Sequence, residues 1–352
     1  MSTHPFDALL VRAATEGVSD LHLSDGDLPR VRQHGRAAAW GTDAVPASEL
    51  LEWLAGRLPD ALLERAHAGV RAVGAFDDAT AGRFRVTLAR HAAGVAATFR
   101  PIPTEPPTLT SLSLPSIVPA ALALDSGLMV VTGPHGSGRS TTLAALVRHL
   151  NQTRRGRIVT IEDPIEHRHV PLQCAIGQRE LGTHAPSLED AVRDAERADA
   201  DVVLLADLHE PAAARAALGL AAAGTLVLGS LDAPDASHAV ERLVDAHPIA
   251  RRDAARARLA SHLRLVVTQR LVRLADGSGR HLVADAVLAP PTTTAVGTGT
   301  RGLALAPPTT TFAALDAALI ELVRTGTIHR AEAFRHALDP GALAARTISE
   351  AA

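Results

Sequence analysis

A short apolar run, Leu128-Met129-Val130-Val131-Thr132, leads directly into Gly133-Pro134-His135-Gly136-Ser137-Gly138-Arg139-Ser140-Thr141, and a helical pattern follows over 140–150. The glycine-rich stretch matches the spacing G-x-x-x-x-G-K-[ST] at every fixed position except the lysine, which is Arg139. Glycines at these places let backbone N–H groups turn inward around an anion. The helix that follows points its positive end at the same spot. Ser140 is placed to ligate Mg2+, and residue 139 to reach the terminal phosphates. Arginine keeps the lysine charge, but its planar fork is bulkier and does not act as a compact point donor. The plain alternative is a strand-to-helix turn that binds nothing. The intact glycines and the Ser140-Thr141 pair favour ATP and Mg2+ as ligands.

The surroundings suit such a loop. Apolar runs at 158–161, 201–206 and 225–229 alternate with helical segments. Ser187-Leu188-Glu189-Asp190 resembles a capping box, with Leu188, Ala191, Val192 and Ala195 on one helix face. Pro211 stands where another helix would begin and Gly224 where it would stop. Strands alternating with helices predict an α/β domain with a mostly parallel sheet. Upstream, 19–23, 28–36, 83–88 and 95–100 read as strands and 48–63 as one helix, which gives a small α/β unit. Four prolines in 101–107 predict a linker, because proline continues neither a helix nor a central strand. The expected organisation is an N-terminal domain over 1–103, a P-loop core over 104–288, a Pro/Thr/Gly-rich loop over 289–311 and a C-terminal helical segment over 312–352.

Composition excludes several classes. With 35 Lys and Arg against 38 Asp and Glu, the chain lacks the basic excess of a general nucleic-acid binder. Six Phe, two Trp and no Tyr leave no aromatic platform for single strands and predict a core of Ala, Val and Leu. One cysteine, Cys174, excludes an internal disulfide and any multi-Cys zinc site. His167 and His169, two apart, read as solvated surface histidines. No stretch is long and apolar enough to span a bilayer, and residues 1–7 show no signal-peptide pattern. The expectation is a cytoplasmic protein that reaches the inner membrane only through partners.

Taken together, several motifs in order resemble the type II/IV secretion ATPase superfamily, more narrowly the twitching-motility (type IV pilus retraction, PilT-like) ATPases. They are Ser19-Asp20-Leu21-His22-Leu23, Gly82-Arg83-Phe84-Arg85-Val86, the phosphate loop, Thr160-Ile161-Glu162-Asp163-Pro164-Ile165-Glu166, Gln178-Arg179-Glu180-Leu181-Gly182, Asp201-Val202-Val203-Leu204-Leu205, Gly229-Ser230-Leu231 and the stretch around Leu315-Asp316. The resemblance implies a PAS-like N-terminal domain and a RecA-like P-loop domain. It also implies a ring of six subunits, alone or mixed with a paralogous ATPase, with nucleotide between the domains and a platform protein at the inner membrane. It places Glu162 on the glutamate that orients or deprotonates the attacking water, and Asp207 on the second acidic motif, holding Mg2+ through water. Arg83, Arg85 and Arg100 fall on first-domain arginines that contact phosphates. Arg193 and Arg197 fall on basic positions of the core.

Departures gather at the chemistry. Besides Arg139, Asp207 stands where the family has glutamate, and His209 replaces a basic residue. Thr225 follows Gly224, and Asp232 follows Leu231, where the family has histidines. A carboxylate at 232 facing a γ-phosphate at roughly 5 Å would cost about 3 kcal/mol at an effective dielectric of about 20; an exposed loop aspartate is the plainer reading. Nothing between Leu288 and Phe312 resembles the short basic-acidic helix of retraction ATPases. Two functions stay open: a motor ATPase with weakened hydrolysis, and a hydrolysis-deficient nucleotide-binding ring subunit that partners a competent paralogue.

Overall fold

Residues 4–33, 36–41, 44, 49–92, 94–288 and 311–349 are described by a computed structural model. The chain folds as two units: Met1–Glu105 with Asp163–Arg168, and Pro106–Glu162 with His169–Ala352.

In the first unit, α1 (Pro5–Thr15) precedes β1 (Asp20–Ser24), β2 (Arg30–Gln33) and β3 (Arg36–Ala39). Then come α2 (Leu50–Leu54), α3 (Asp60–His67), β4 (Ala72–Asp78), β5 (Gly82–His91) and β6 (Gly94–Ile102). The strands form one sheet in the order β3-β2-β1-β6-β5-β4, antiparallel throughout. Alternate residues of β5 and β6 point inward, as a half-covered sheet requires. The single helix expected over 48–63 is two helices. The break falls at 55–59, where Gly56 has φ +78° and Pro59 precedes α3. The proline stretch also needs correction. Pro101 lies within β6, opposite Phe84 of β5. β1 pairs with β6 only as far as Phe99, so the N–H that Pro101 lacks is not called for on that side. The core here is not simply aliphatic: Phe6, Trp53, Phe76, Phe84 and Phe99 make a chain of ring contacts at 5.3–6.3 Å.

The second unit runs α4 (Ile117–Leu122), β7 (Gly127–Thr132), α5 (Arg139–Thr153), β8 (Gly156–Glu162), β9 (Cys174–Glu180), α6 (Leu188–Arg197), β10 (Val202–Leu205), α7 (Pro211–Ala223), β11 (Leu226–Leu231), α8 (Ala236–Asp245), α9 (Arg252–His262), β12 (Leu263–Arg273) and β13 (Arg280–Leu288). It closes with α10 (Thr311–Arg324), α11 (Arg330–His336) and α12 (Pro340–Ser349). The sheet order is β13-β12-β7-β11-β10-β8-β9. All neighbours are parallel except the edge pair β12–β13. β7, β10 and β11 are buried along their whole length, as strands covered on both faces are. One face packs on α6–α9 through residues such as Ala191, Ala217 and Leu243. The other packs on α4 and α5 through Val118, Leu146 and Leu150.

Local chemistry sets the helix ends. Ser187 Oγ accepts the Asp190 N–H at 3.1 Å and opens α6. Pro211 is the first residue of α7, and Gly224 ends it with φ +108°. Asp316, 5% exposed, ties α10 to the start of α12 by accepting the N–H groups of Leu338 and Asp339. The expected loop over 289–311 lies outside the described residues up to 310. No helix among the described residues is long and apolar enough to cross a membrane.

Candidate functional site

Parallel register brings the sequence motifs of the second unit to one edge of its sheet. Thr132 of β7 is level with Leu231 of β11 and Thr268 of β12. Leu205 of β10 is level with Ile161 of β8 and Gly229 of β11. Glu162 therefore ends its strand, and the loop at 133, Asp207 and Asp232 follow theirs, all at the carboxyl edge of the sheet, where ligands bind in open α/β sheets.

The loop has the backbone of an anion cradle. Gly133 has φ +149°, and a Cβ there would strike the Gln269 carbonyl oxygen and meet Ser137 Oγ at 2.6 Å. Gly138 is left-handed at φ +91° and forms the N-cap of α5 with no side chain capping the helix. Thr142 N–H is the first to find a helical acceptor, Gly138 O at 3.0 Å. The first-turn amides of Arg139, Ser140 and Thr141 thus open on the loop. Ser137 N–H turns back to Pro134 O at 3.1 Å. Pro134, His135, Gly136 and Ser140 are exposed. An uncapped helix start behind Gly133, where no Cβ fits, and the left-handed Gly136 and Gly138 fits a polyphosphate. The exposed Ser140 hydroxyl is placed to share a divalent cation with it.

Gln269 braces the cradle from β12. Fully buried, it donates from Nε2 to Ser137 O at 2.7 Å and accepts from Thr142 Oγ1 at 2.9 Å. Its neighbour Arg270 is 5% exposed and donates to Gln269 O at 3.0 Å and Pro234 O at 2.7 Å. Burial pushes Arg270 below the ordinary arginine value, against the opposing pull of Asp235, Asp316 and Asp232. Thr132 Oγ1 donates to Ala233 O at 2.8 Å. These bonds fix the turn that follows Asp232.

Arg139 is engaged within the site. Its Nη1 bonds the Gly133 carbonyl, lies 3.4 Å from Leu231 O and 3.3 Å from Asp232 Oδ1. Sequence treats 139 and 232 as separate departures; the structure joins them as an ion pair. Glu162 Oε1 accepts from Thr160 Oγ1 at 2.6 Å and from Gln178 Nε2 at 3.2 Å, which aims the carboxylate from the end of β8. Asp207 is exposed and accepts the His209 N–H at 2.9 Å. Arg193 pairs with Glu189 and Asp190 of its own helix, and Arg197 is exposed.

The three arginines of the first unit have partners inside that unit. Arg83, its side chain 11% exposed, binds Asp77 and donates to the carbonyls of Ile165 and Glu166 at 2.7 and 2.9 Å. Arg85 pairs with Glu166 at 2.5 Å. Arg100 pairs at 2.8 Å with Asp20, which is 4% exposed. His167 is not a solvated histidine. It is 5% exposed, and its burial depresses protonation although Glu166 and the Pro103 carbonyl oppose this. Cys174 is buried, and desolvation raises its thiol. No cluster of three or more His, Cys, Asp or Glu among the described residues is arranged to hold a metal ion.

A sequence profile of the family described as Type II/IV secretion system protein matches residues 114–322. The chain belongs to that family. It is 32% identical over 283 residues to the type IV pilus retraction ATPase PilT of Pseudomonas aeruginosa, covering 80% of this chain and 82% of that one. It is 34% identical over 263 residues to a twitching motility protein of Neisseria gonorrhoeae, covering 75% and 70%. A crystal structure of the pilus retraction motor PilT with bound ADP superposes with a TM-score of 0.79 at 28% identity, covering 98% of this chain and all of that one. Within the family the chain is a PilT-like secretion ATPase, with the α/β architecture expected.

For this PilT-like chain the sequence overlooked Gln269 and Arg270. Their signal was present: Thr268-Gln269-Arg270 interrupts the apolar run from Leu265 to Val272 in β12. A buried strand carries such residues only when they are hydrogen-bonded.

Proposed function

We propose that the chain binds Mg-ATP on Gly133–Thr141 and hydrolyses it with weakened catalysis, as a subunit of a ring that serves a pilus or secretion platform at the inner membrane. The observation that carries this is the uncapped start of α5 inside a glycine cradle, with three carboxylates on the neighbouring strand ends. In this reading the amides of Gly136 and of residues 138–141 bind the β- and γ-phosphates, while the Ser137 amide stays on Pro134 O, and Ser140 with a water-bridged Asp207 would hold Mg2+. The metal, when bound, draws charge from the phosphate oxygens. Glu162, steered by Thr160 and Gln178, accepts a proton from water. Arg139 supplies positive charge only by leaving Asp232. Arg83, Arg85 and Arg100 reach a phosphate only by leaving their carboxylates.

The test measures Mg-ATP affinity and steady-state turnover on the same protein. The expectation is detectable binding with poor turnover. Arg139→Lys, Asp207→Glu and Asp232→His together should raise turnover by at least about tenfold, the equivalent of about 1.4 kcal/mol of barrier. Family-typical turnover in the unaltered protein rejects weakened catalysis. No gain on restoration rejects its assigned cause.

The Arg139–Asp232 pair also supports a second reading, a ring subunit that binds nucleotide without hydrolysing it and assembles with a competent paralogue. Zero turnover alone, together with stimulation in a mixed ring, favours it over the first.

A further inference from the structure

The lysine-to-arginine and histidine-to-aspartate departures meet in space, and the structure builds a device from them. Arg139 Nη1 touches Asp232 Oδ1 at 3.3 Å and two main-chain carbonyls, Gly133 O and Leu231 O. Asp232 is presented rather than free to swing. Leu231 before it is held in β11 beside Thr132. Ala233 and Pro234 after it are pinned through their carbonyls by Thr132 and Arg270. The Arg139 side chain is 18% exposed and that of Asp232 50%. Water reaches the carboxylate, so the pair is soft, worth a factor of about two to five in an equilibrium.

We infer that Asp232 is a built-in counter-ion that latches Arg139, so that a polyphosphate must displace the Asp232 carboxylate to win the guanidinium. The inference rests on the nucleotide reading above and deepens it: Asp232 is a positioning residue acting through Arg139. A cation at 139 without a carboxylate at 232 would leave a net positive charge facing the ligand. Arg139 with Asp232 presents almost none. Part of the ligand's binding free energy goes into opening the pair, which lowers affinity before any chemistry begins.

The test is Mg-ADP affinity by calorimetry, which needs no turnover, on the full chain. Asp232→Asn keeps the shape and removes the charge. It should bind Mg-ADP roughly three- to tenfold tighter than the unaltered protein. Simple repulsion of phosphate by Asp232 would do the same, so the deciding measurement is the same change made in Arg139→Gln. A latch has nothing to release there, and the gain should shrink to about twofold or less. Nitrogen NMR of the Arg139 guanidinium in nucleotide-free protein, assigned by its loss in Arg139→Lys, should shift in Asp232→Asn. Equal affinity with and without the carboxylate, a full gain in the Arg139→Gln background, or an unmoved Arg139 signal overturns the latch and leaves nucleotide binding standing. Absence of Mg-ADP binding in every variant overturns the nucleotide reading and the latch with it.

Discussion

Ser137 carries a hydroxyl that nothing in the described protein answers: the residue is 3% exposed and Oγ has no hydrogen-bond partner. An unsatisfied buried hydroxyl costs about 1 kcal/mol or more. Ser137→Ala should therefore raise the unfolding free energy of the nucleotide-free protein by about 1 kcal/mol in denaturant titration, seen as a higher midpoint. Gln269 is the opposite case. Gln269→Leu strips the Ser137 carbonyl and the Thr142 hydroxyl of their partner. The loss should be about 2–3 kcal/mol in the same titration, and an unchanged midpoint would deny Gln269 its bracing role. At this scale the sequence was half legible. The loop from Gly133 to Thr141 announces itself because its chemistry is local and its spacing fixed. Gln269 lies far along the chain, and only the pairing of β12 with β7 brings it under Ser137. The bond between Arg139 and Asp232 is hidden for the same reason, since both residues were conspicuous and their adjacency was not.

At the scale of elements, what could be read was whatever carried its own start and stop signals. Ser187, Pro211 and Gly224 mark α6 and α7 because capping and φ preferences act over three or four residues. Ser187→Ala should cost about 1 kcal/mol, seen as earlier loss of helical signal in thermal unfolding; no loss would mean that α6 is held by Ala191 and Ala195 alone. Tertiary context defeated the other readings. Proline at 101 looks fatal to a central strand until the short reach of β1 is known. The helix pattern at 48–63 continues through Gly56 only if periodicity is counted without the backbone. Ala72–Asp78, with its Ala and Gly, gave little β signal, and its place as β4 comes from pairing with β5.

Across the whole molecule, the six residues Asp163–Arg168 leave the second unit, belong with the first, and return. Within them His167 is buried, and burial keeps its proton affinity below the usual histidine value of 6.5. The native state then binds fewer protons than the unfolded chain. Stability is full above 6.5 and falls as pH drops below it toward the lowered native value. His22 in β1, also lowered by burial, contributes in the same direction. Thermal unfolding followed from pH 7.5 to 5 should show this acid loss, and His167→Gln should flatten part of the slope. An identical slope would place the acid sensitivity elsewhere.

The return of that short segment has an evolutionary corollary. Arg83 and Arg85 grip groups contributed from about eighty positions downstream, so residues 1–105 are not a transplantable cassette. A chimera that took them from a relative would set that relative's strand residues against this chain's own Ile165 and Glu166, the groups that Arg83 and Arg85 hold here. Recombination that respects this architecture has to carry both pieces together, and surviving hybrids should show their crossovers outside the interval from 83 to 168.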